Sequence, residues 1–309
     1  MTTAIPRTVA PACLCLILLA SGSILLRAAP VPGELPPVLV VGDRAGKSEI
    51  LLVNSDGTGS PTDLTKNCKS VNTYPAWSPD HSRIAFVSDR DGNFQIYVMN
   101  ADGSGVKQLT KGEEINRAPA WSPDGKKIAF CRHTAEGPRI FVMDADGANH
   151  TQLNEGSGWD PAWSPDGTKM LFASSRSGNG FHVCLMHTDG THYTELTTNN
   201  NPVGFVYPAW SPDGTLIAWG DTVGETTAGA SMEIFVASAD GTNAKQITKL
   251  GHINAYPSWS PDGSKLTFFH YESEHSGIYY TVGSQGGTPQ ELLKQEAPIE
   301  GGRPAWRTR

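Results

Sequence analysis

Tyr74-Pro75-Ala76-Trp77-Ser78-Pro79-Asp80 is the first full copy of the string that decides the fold. Its Pro-Ala-Trp core returns with tryptophan at 121, 163, 210 and 259, alanine becoming Ser258 in the last of these. A sixth copy, Arg303-Pro304-Ala305-Trp306, stands at the end of the chain. The tryptophans are 44, 42, 47, 49 and 47 residues apart, a period that suits a four-stranded propeller blade. Ser-Pro-Asp-Gly, as at Ser122–Gly125, is turn chemistry: Pro presets φ at its position, Asp bonds nearby backbone, and Gly accepts positive φ. One copy departs, with His81 where the others place Gly.

Beyond each turn lies an apolar run, as in Ile84–Val87, Ile128–Phe130, Met170–Phe172, Leu216–Trp219 and Leu266–Phe269. A third strand follows (Ile96–Met99, Ile140–Met143, Ile234–Val236), then an Asp-Gly turn and a last strand ending in Leu109-Thr110, Leu196-Thr197 or Ile247-Thr248. These strands are apolar on consecutive positions. Sheets covered on both faces read that way, whereas a half-exposed sandwich strand would alternate. Residues 38–65 hold only the last three strands of a unit and 303–309 only the first. Joined, they make one more unit. The expectation is an all-β, six-bladed β-propeller over 38–309, its ring closed by the C-terminal strand completing the N-terminal blade, so that no sheet edge stays open.

Gly (33) and Pro (22) are abundant, but periodic, so they mark turns and not disorder. The net charge of −7 deepens without residues 1–29, which contain Arg7 and Arg27 and no acid. With no basic cluster, nucleic-acid binding is set aside. Arg7 precedes an apolar run from Val9 to Leu26 that ends among small residues, which reads as a secretory signal over 1–29. An uncleaved N-terminal anchor is the alternative, and the only membrane contact expected. Residues 30–37 read as a Pro-rich linker. Cys13 and Cys15 fall in the signal, and the three others, Cys68, Cys131 and Cys184, are odd in number and widely spaced. That is no disulfide framework. Cys131 and Cys184, among apolar neighbours, read as small core residues.

The run from Tyr74 through Ile84-Ala85-Phe86-Val87-Ser88-Asp89-Arg90-Asp91-Gly92-Asn93 to Ser104, closed by Gln108-Leu109-Thr110, resembles the repeat of the TolB propeller family, which recurs in many secreted WD-like proteins. The resemblance covers 38–309. It implies a six-bladed ring and, by likeness to the periplasmic component of the Tol–Pal envelope system, a protein partner docked at one end of it. The TolB pattern places an α/β domain before the propeller, and here only the signal and linker precede the first strand.

In a blade ordered from the channel outward, the short Ser-Pro-Asp-Gly and Asp-Gly turns share one face. The other face carries connections of uneven length: 66–73, 111–117, 155–159, 198–206, 221–233 and 250–255. Variable loops on a rigid ring are where recognition sits. The residues before each Pro begin the innermost strand at the channel mouth: Tyr74, Ala118, Asp160, Tyr207, Tyr256 and Arg303. Arg117 and Trp159 lie one step outside. Tyr74, Arg117, Trp159, Asp160, Tyr207, Tyr256 and Arg303 have the composition of protein-binding hot spots and are the expected partner-binding set. The same tyrosines could instead serve only to pack the loops.

No Gly-x-Ser-x-Gly elbow occurs. His182, His187 and His192 recur every five residues, two of them flanking a tight turn, but a zinc site needs three or four ligands and no further one is evident. Asp89–Asn93 and Asp144–Asn149 lack the full calcium-loop spacing and read as turns. No catalytic residue, metal or cofactor is therefore assigned. The leading expectation is a non-catalytic, monomeric, secreted or periplasmic scaffold that binds a protein or peptide. The runner-up is a carbohydrate- or metal-dependent enzyme of lyase or hydrolase type working at the channel mouth.

Overall fold

A computed structural model describes residues 35–44, 47–66, 69–176, 178, 180–197, 206–224, 231–273, 276–295 and 302–307. The expected signal at 1–29, Cys68, and most of the connection at 198–206 lie outside the described residues.

Strands follow one another as short antiparallel meanders. β1 (Val38–Arg44), β2 (Lys47–Val53) and β3 (Thr62–Asp63) come first. Next are β4 (Asn72–Trp77), β5 (Arg83–Ser88), β6 (Gln95–Asn100) and β7 (Lys107–Gln108), then β8 (Asn116–Trp121), β9 (Lys127–Thr134), β10 (Gly137–Asp144) and β11 (Thr151–Gln152). β12 (Trp159–Trp163), β13 (Lys169–Ser174), β14 (His182–His187) and β15 (Thr194–Glu195) form a fourth group. β16 (Ala209–Trp210), β17 (Leu216–Val223), β18 (Ser231–Ser238) and β19 (Lys245–Gln246) form a fifth. β20 (Ile253–Trp259), β21 (Lys265–Ser273), β22 (Ser276–Gly283), β23 (Gln290–Gln295) and finally β24 (Ala305–Trp306) complete the chain. Four sheets have four strands each, and a single parallel bridge, Met232 to Ile253, joins β16–β19 to β20–β23 in the fifth. This is an all-β, propeller-like arrangement.

The turns form for the reasons their residues imply. Ser122 Oγ donates to Asp124 Oδ1 (2.7 Å), which also accepts the Lys126 N–H (3.1 Å), and Gly125 takes φ 69°. Ser164, Ser211 and Ser260 repeat the bond to their own aspartates. In the departing copy His81 occupies the same left-handed position at φ 57°. The fourth strands stop two residues before the expected Leu-Thr ends. There the threonine hydroxyl replaces a ladder carbonyl, Thr110 Oγ1 accepting the Ile96 N–H at 2.9 Å and Thr248 Oγ1 that of Ile234 at 2.9 Å.

Consecutive apolar positions do cover both faces. Ile84 and Phe86 pack with Leu39, Ile50 and Leu64 of the preceding set. Their neighbours Ala85 and Val87 pack the other way, with Trp121, Ile128 and Phe130 of the next. The same sharing continues set by set until Val38, Val41 and Trp306 meet Tyr256, Phe269 and Tyr279. Cys131 and Cys184 are buried within this packing and unpaired.

Closure rests on two short devices. β24 pairs with β1 through Val38–Trp306 and Leu39–Ala305. Two residues further along β1, the Tyr279 hydroxyl accepts the Val41 N–H (3.1 Å) and donates to the Val41 carbonyl (3.0 Å), capping the edge that β24 is too short to reach. The innermost strands touch in the cyclic order β24, β4, β8, β12, β16, β20 and back to β24. Indole N–H groups staple each inner strand to the one before it: Trp121 to Ala76 (3.2 Å), Trp163 to Ala120 (3.1 Å), Trp210 to Ala162 (3.2 Å) and Trp259 to Ala209 (3.4 Å). At the seam the pattern lapses, since the buried indole nitrogens of Trp77 and Trp306 have no hydrogen-bond partner.

Candidate functional site

Pro75 has no N–H to give to the β4–β5 ladder, and the ladder breaks there, shifting register between Thr73 and Ala76. The same bulge interrupts β8 between Arg117 and Ala120, β12 between Trp159 and Ala162, and β20 between Ala255 and Ser258. The residue before each of these prolines is left-handed: Tyr74 has φ 50°, Ala118 52°, Asp160 49° and Tyr256 59°, and Tyr207, ahead of β16, has 39°. For a side chain other than glycine this costs roughly 1–2 kcal/mol, and a bulge re-aims the side chain it carries.

The outcome corrects one expectation. β4, β8, β12 and β20 start one to three residues before the predicted position, because each continues on the far side of its bulge. Tyr74, Ala118, Asp160 and Tyr256 therefore lie within the innermost strands, at their bulges, and not at the strands' first residues. Asp160 is 6% exposed and Tyr256 5%. Tyr74, Tyr207 and Arg303 are half-buried.

Cyclic order decides which of them face each other. β24 lies three strands from β12 in either direction, which sets Arg303 opposite Asp160; likewise Tyr74 stands opposite Tyr207 and Ala118 opposite Tyr256. The Tyr207 and Tyr256 rings are 3.9 Å apart between centroids, and Tyr74 meets Tyr256 edge-on at 6.3 Å.

Electrostatics registers the same convergence. Burial pushes the Asp160 carboxyl up to about 6, against the opposing pull of Arg303 and Arg117. Burial raises the Tyr74 phenol, reinforced by the Asp160 charge, and raises Tyr207 and Tyr256 well above the ordinary value. The phenols thus stay neutral donors. Burial likewise draws Arg303 down, with Asp160 resisting.

The two flanking residues behave differently. Trp159 wedges between sets, edge-on to His133 at 4.7 Å and to Phe181 at 6.3 Å. Arg117 lays its guanidinium 4.5 Å over the Phe94 ring, close enough to the centre to act on Asp160, Cys131 and His133. Two participants were not picked out from sequence. Tyr271 affects all three channel tyrosines, and His133 packs on Trp159. Both occupy the same place, five residues past the first apolar residue of a second strand (Ile128, Leu266), and only because β9 and β21 run longer than β5. That extra strand length leaves no mark in the residue pattern.

The metal candidates disperse. His187 and His192 stack at 4.2 Å across their hairpin, whereas His182 is buried with Nδ1 2.9 Å from the Thr197 carbonyl. Among the described residues no three His, Cys, Asp or Glu side chains are grouped to hold a metal. Asp89 accepts the Val71 N–H (2.8 Å) and Asp91 the Tyr97 hydroxyl (2.7 Å), turn and packing roles both.

The TolB beta propeller domain family matches residues 34–117 and 108–225. The chain belongs to the TolB propeller family. TolB from Acinetobacter baumannii superposes with a TM-score of 0.77 at 22% identity, over 90% of this chain and 68% of that one. A putative TolB from Agrobacterium tumefaciens gives 0.65 at 20% identity, over 86% and 91%. A chain of a nidogen/laminin complex gives 0.66 at 12%, over 88% and 99%. At these identities the TolB structures share the fold. No curated protein matches the sequence.

Proposed function

We propose that this TolB-family propeller is a non-catalytic, extracytoplasmic scaffold that receives a protein or peptide partner on its variable-loop face, with the channel cluster as the floor of the site. The observation that carries the reading is the left-handed backbone at Tyr74, Asp160, Tyr207 and Tyr256. Backbone strain repeated at the centre of a ring is retained where side chains must be presented, and here it presents phenols and charge. Leu250 and Ile253, two of three large apolar side chains exposed among the described residues, fall in the 250–255 connection and support an apolar docking surface there. Burial raises the thiol pKa of Cys131 and pushes that of Cys184 up to about 12, which suits structural cysteines and not nucleophiles. The apolar leader and the periplasmic setting of TolB support the location.

The test is affinity capture from envelope extract with the wild type, Tyr207→Ala, Arg303→Ala and, on the opposite face, His187→Ala. Loss of the same captured protein in the first two variants and its retention in the third is the expected pattern. Equal recovery by all four would remove the site.

A further inference from the structure

Asp160 and Arg303 face each other across the ring without joining. Among the described residues the Asp160 carboxylate receives no hydrogen bond and forms no ion pair, and the Arg303 guanidinium makes neither. Each nevertheless acts on the other as its strongest charged neighbour. A buried charge without a bonded partner is costly, and each of these two keeps hydrogen-bonding capacity that the other does not use.

The surroundings of Asp160 are cationic and rich in donors. Of the described groups acting on Asp160, two are guanidiniums, Arg303 and Arg117, against its single carboxylate. His133 is drawn toward its neutral form by burial and by Arg117. The Tyr74 and Tyr207 phenols, kept protonated, hydrogen-bonded with Tyr256 and only half-buried, add hydroxyl donors on the neighbouring inner strands. Guanidinium and phenol donors together match a planar, acceptor-only group.

We infer that the channel floor is a carboxylate-binding site, in which Arg303, assisted by Arg117 and the Tyr74 and Tyr207 hydroxyls, takes an acidic side chain or the terminal carboxylate of a peptide entering from the variable-loop face. Asp160 sets the selectivity: it rejects a second anion on its own side and accepts an N–H of the same peptide. The inference rests on the docking reading above and names the chemistry of the partner.

An array of random twelve-residue peptides, printed with free and with amidated C-termini, probes it with the full chain. Retained peptides should be enriched in Asp and Glu or depend on the free terminus, the two printings separating these sources. Replacing the critical Glu by Gln, or amidating the critical terminus, should weaken binding by at least about tenfold. Arg303→Gln should erase that discrimination and Arg303→Lys keep part of it. Asp160→Asn should bind the acidic peptides several-fold more tightly, a gain that a misfolded variant cannot produce. Peptides retained without any acidic preference, or a preference that survives Arg303→Gln, would overturn the inference while leaving the docking reading in place. Retention of no peptide at all would overturn both. Oligogalacturonate, added as a soluble acidic sugar, should not displace the bound peptides; complete displacement dependent on Arg303 would assign the floor to sugar acids and overturn the peptide assignment.

Discussion

Asp160→Asn should make the protein more stable at neutral pH and leave it no more stable in acid. In the fold the carboxyl titrates at about 6, against 3.8 for a free side chain. At about 1.4 kcal/mol for each tenfold, ionising Asp160 inside the channel costs the native state on the order of 3 kcal/mol. The sign follows from proton linkage. Below about pH 3.8 both native and unfolded chains hold the proton and nothing is lost. Between 3.8 and about 6 the unfolded chain releases it first, so the native state loses ground as pH rises, and above 6 the deficit is complete. Asparagine resembles the protonated carboxyl at every pH and escapes it. For a domain of about 270 residues, 3 kcal/mol corresponds to a rise in Tm of roughly 6 °C. Calorimetric melts of wild type and variant at pH 7.5 and pH 4 would measure the difference. A gap that closes on acidification supports the reasoning. A variant that melts lower at pH 7.5, or an offset independent of pH, would refute it and mean that Arg303 and Arg117 repay the burial in full. A carboxylate kept at such expense is the kind of group that function retains.

Deleting residues 303–309 removes Trp306, 4% exposed, and the β24–β1 pairing. The indole alone buries about 150–250 Å², worth about 4–6 kcal/mol at most, so Tm should fall by around 10 °C; an unchanged melt would count against closure by the termini. Tyr279→Phe strands the N–H and carbonyl of Val41 in a buried setting and should cost about 1–3 kcal/mol in urea titration, with a loss below 0.5 kcal/mol speaking against the edge cap. Gly190→Ala and Gly251→Ala both place a side chain at positive φ (85° and 71°), but a Cβ at 190 would lie 2.2 Å from the Leu153 carbonyl oxygen while at 251 it meets nothing within 4 Å. The first should cost about 2–4 kcal/mol and the second about 1 kcal/mol; equal losses by denaturant melting would show that strain alone matters at both.

Much of this architecture is legible in the chain because its determinants are local. Ser122-Pro123-Asp124-Gly125 dictates a turn through bonds among its own four residues and their immediate neighbours, and the copies at 164, 211 and 260 repeat it. Gly190 illustrates the limit. Its positive φ belongs to the Asp-Gly turn and is readable, whereas its approach to Leu153 crosses from one set to the previous one and is not. The channel set was legible as a list, since repetition assigns Tyr74, Asp160, Tyr207, Tyr256 and Arg303 to equivalent places. Their depth was not, because a bulge before proline extends the strand without marking its composition. Tyr271 and His133 escaped for a related reason, as strand length beyond the apolar run leaves no residue signature.

From the amino-acid order alone came the period, the strand types and the joining of an incomplete first unit to an incomplete last one, since each depends on neighbours in the chain or on counting. Only the folded ring decided that Arg303 confronts Asp160, 143 positions away, that the Tyr207 ring lies 3.9 Å from that of Tyr256, and that the indole staples lapse on either side of the seam. Those relations are set by cyclic order and by the curvature that brings opposite strands within reach of one another, quantities that no stretch of sequence contains.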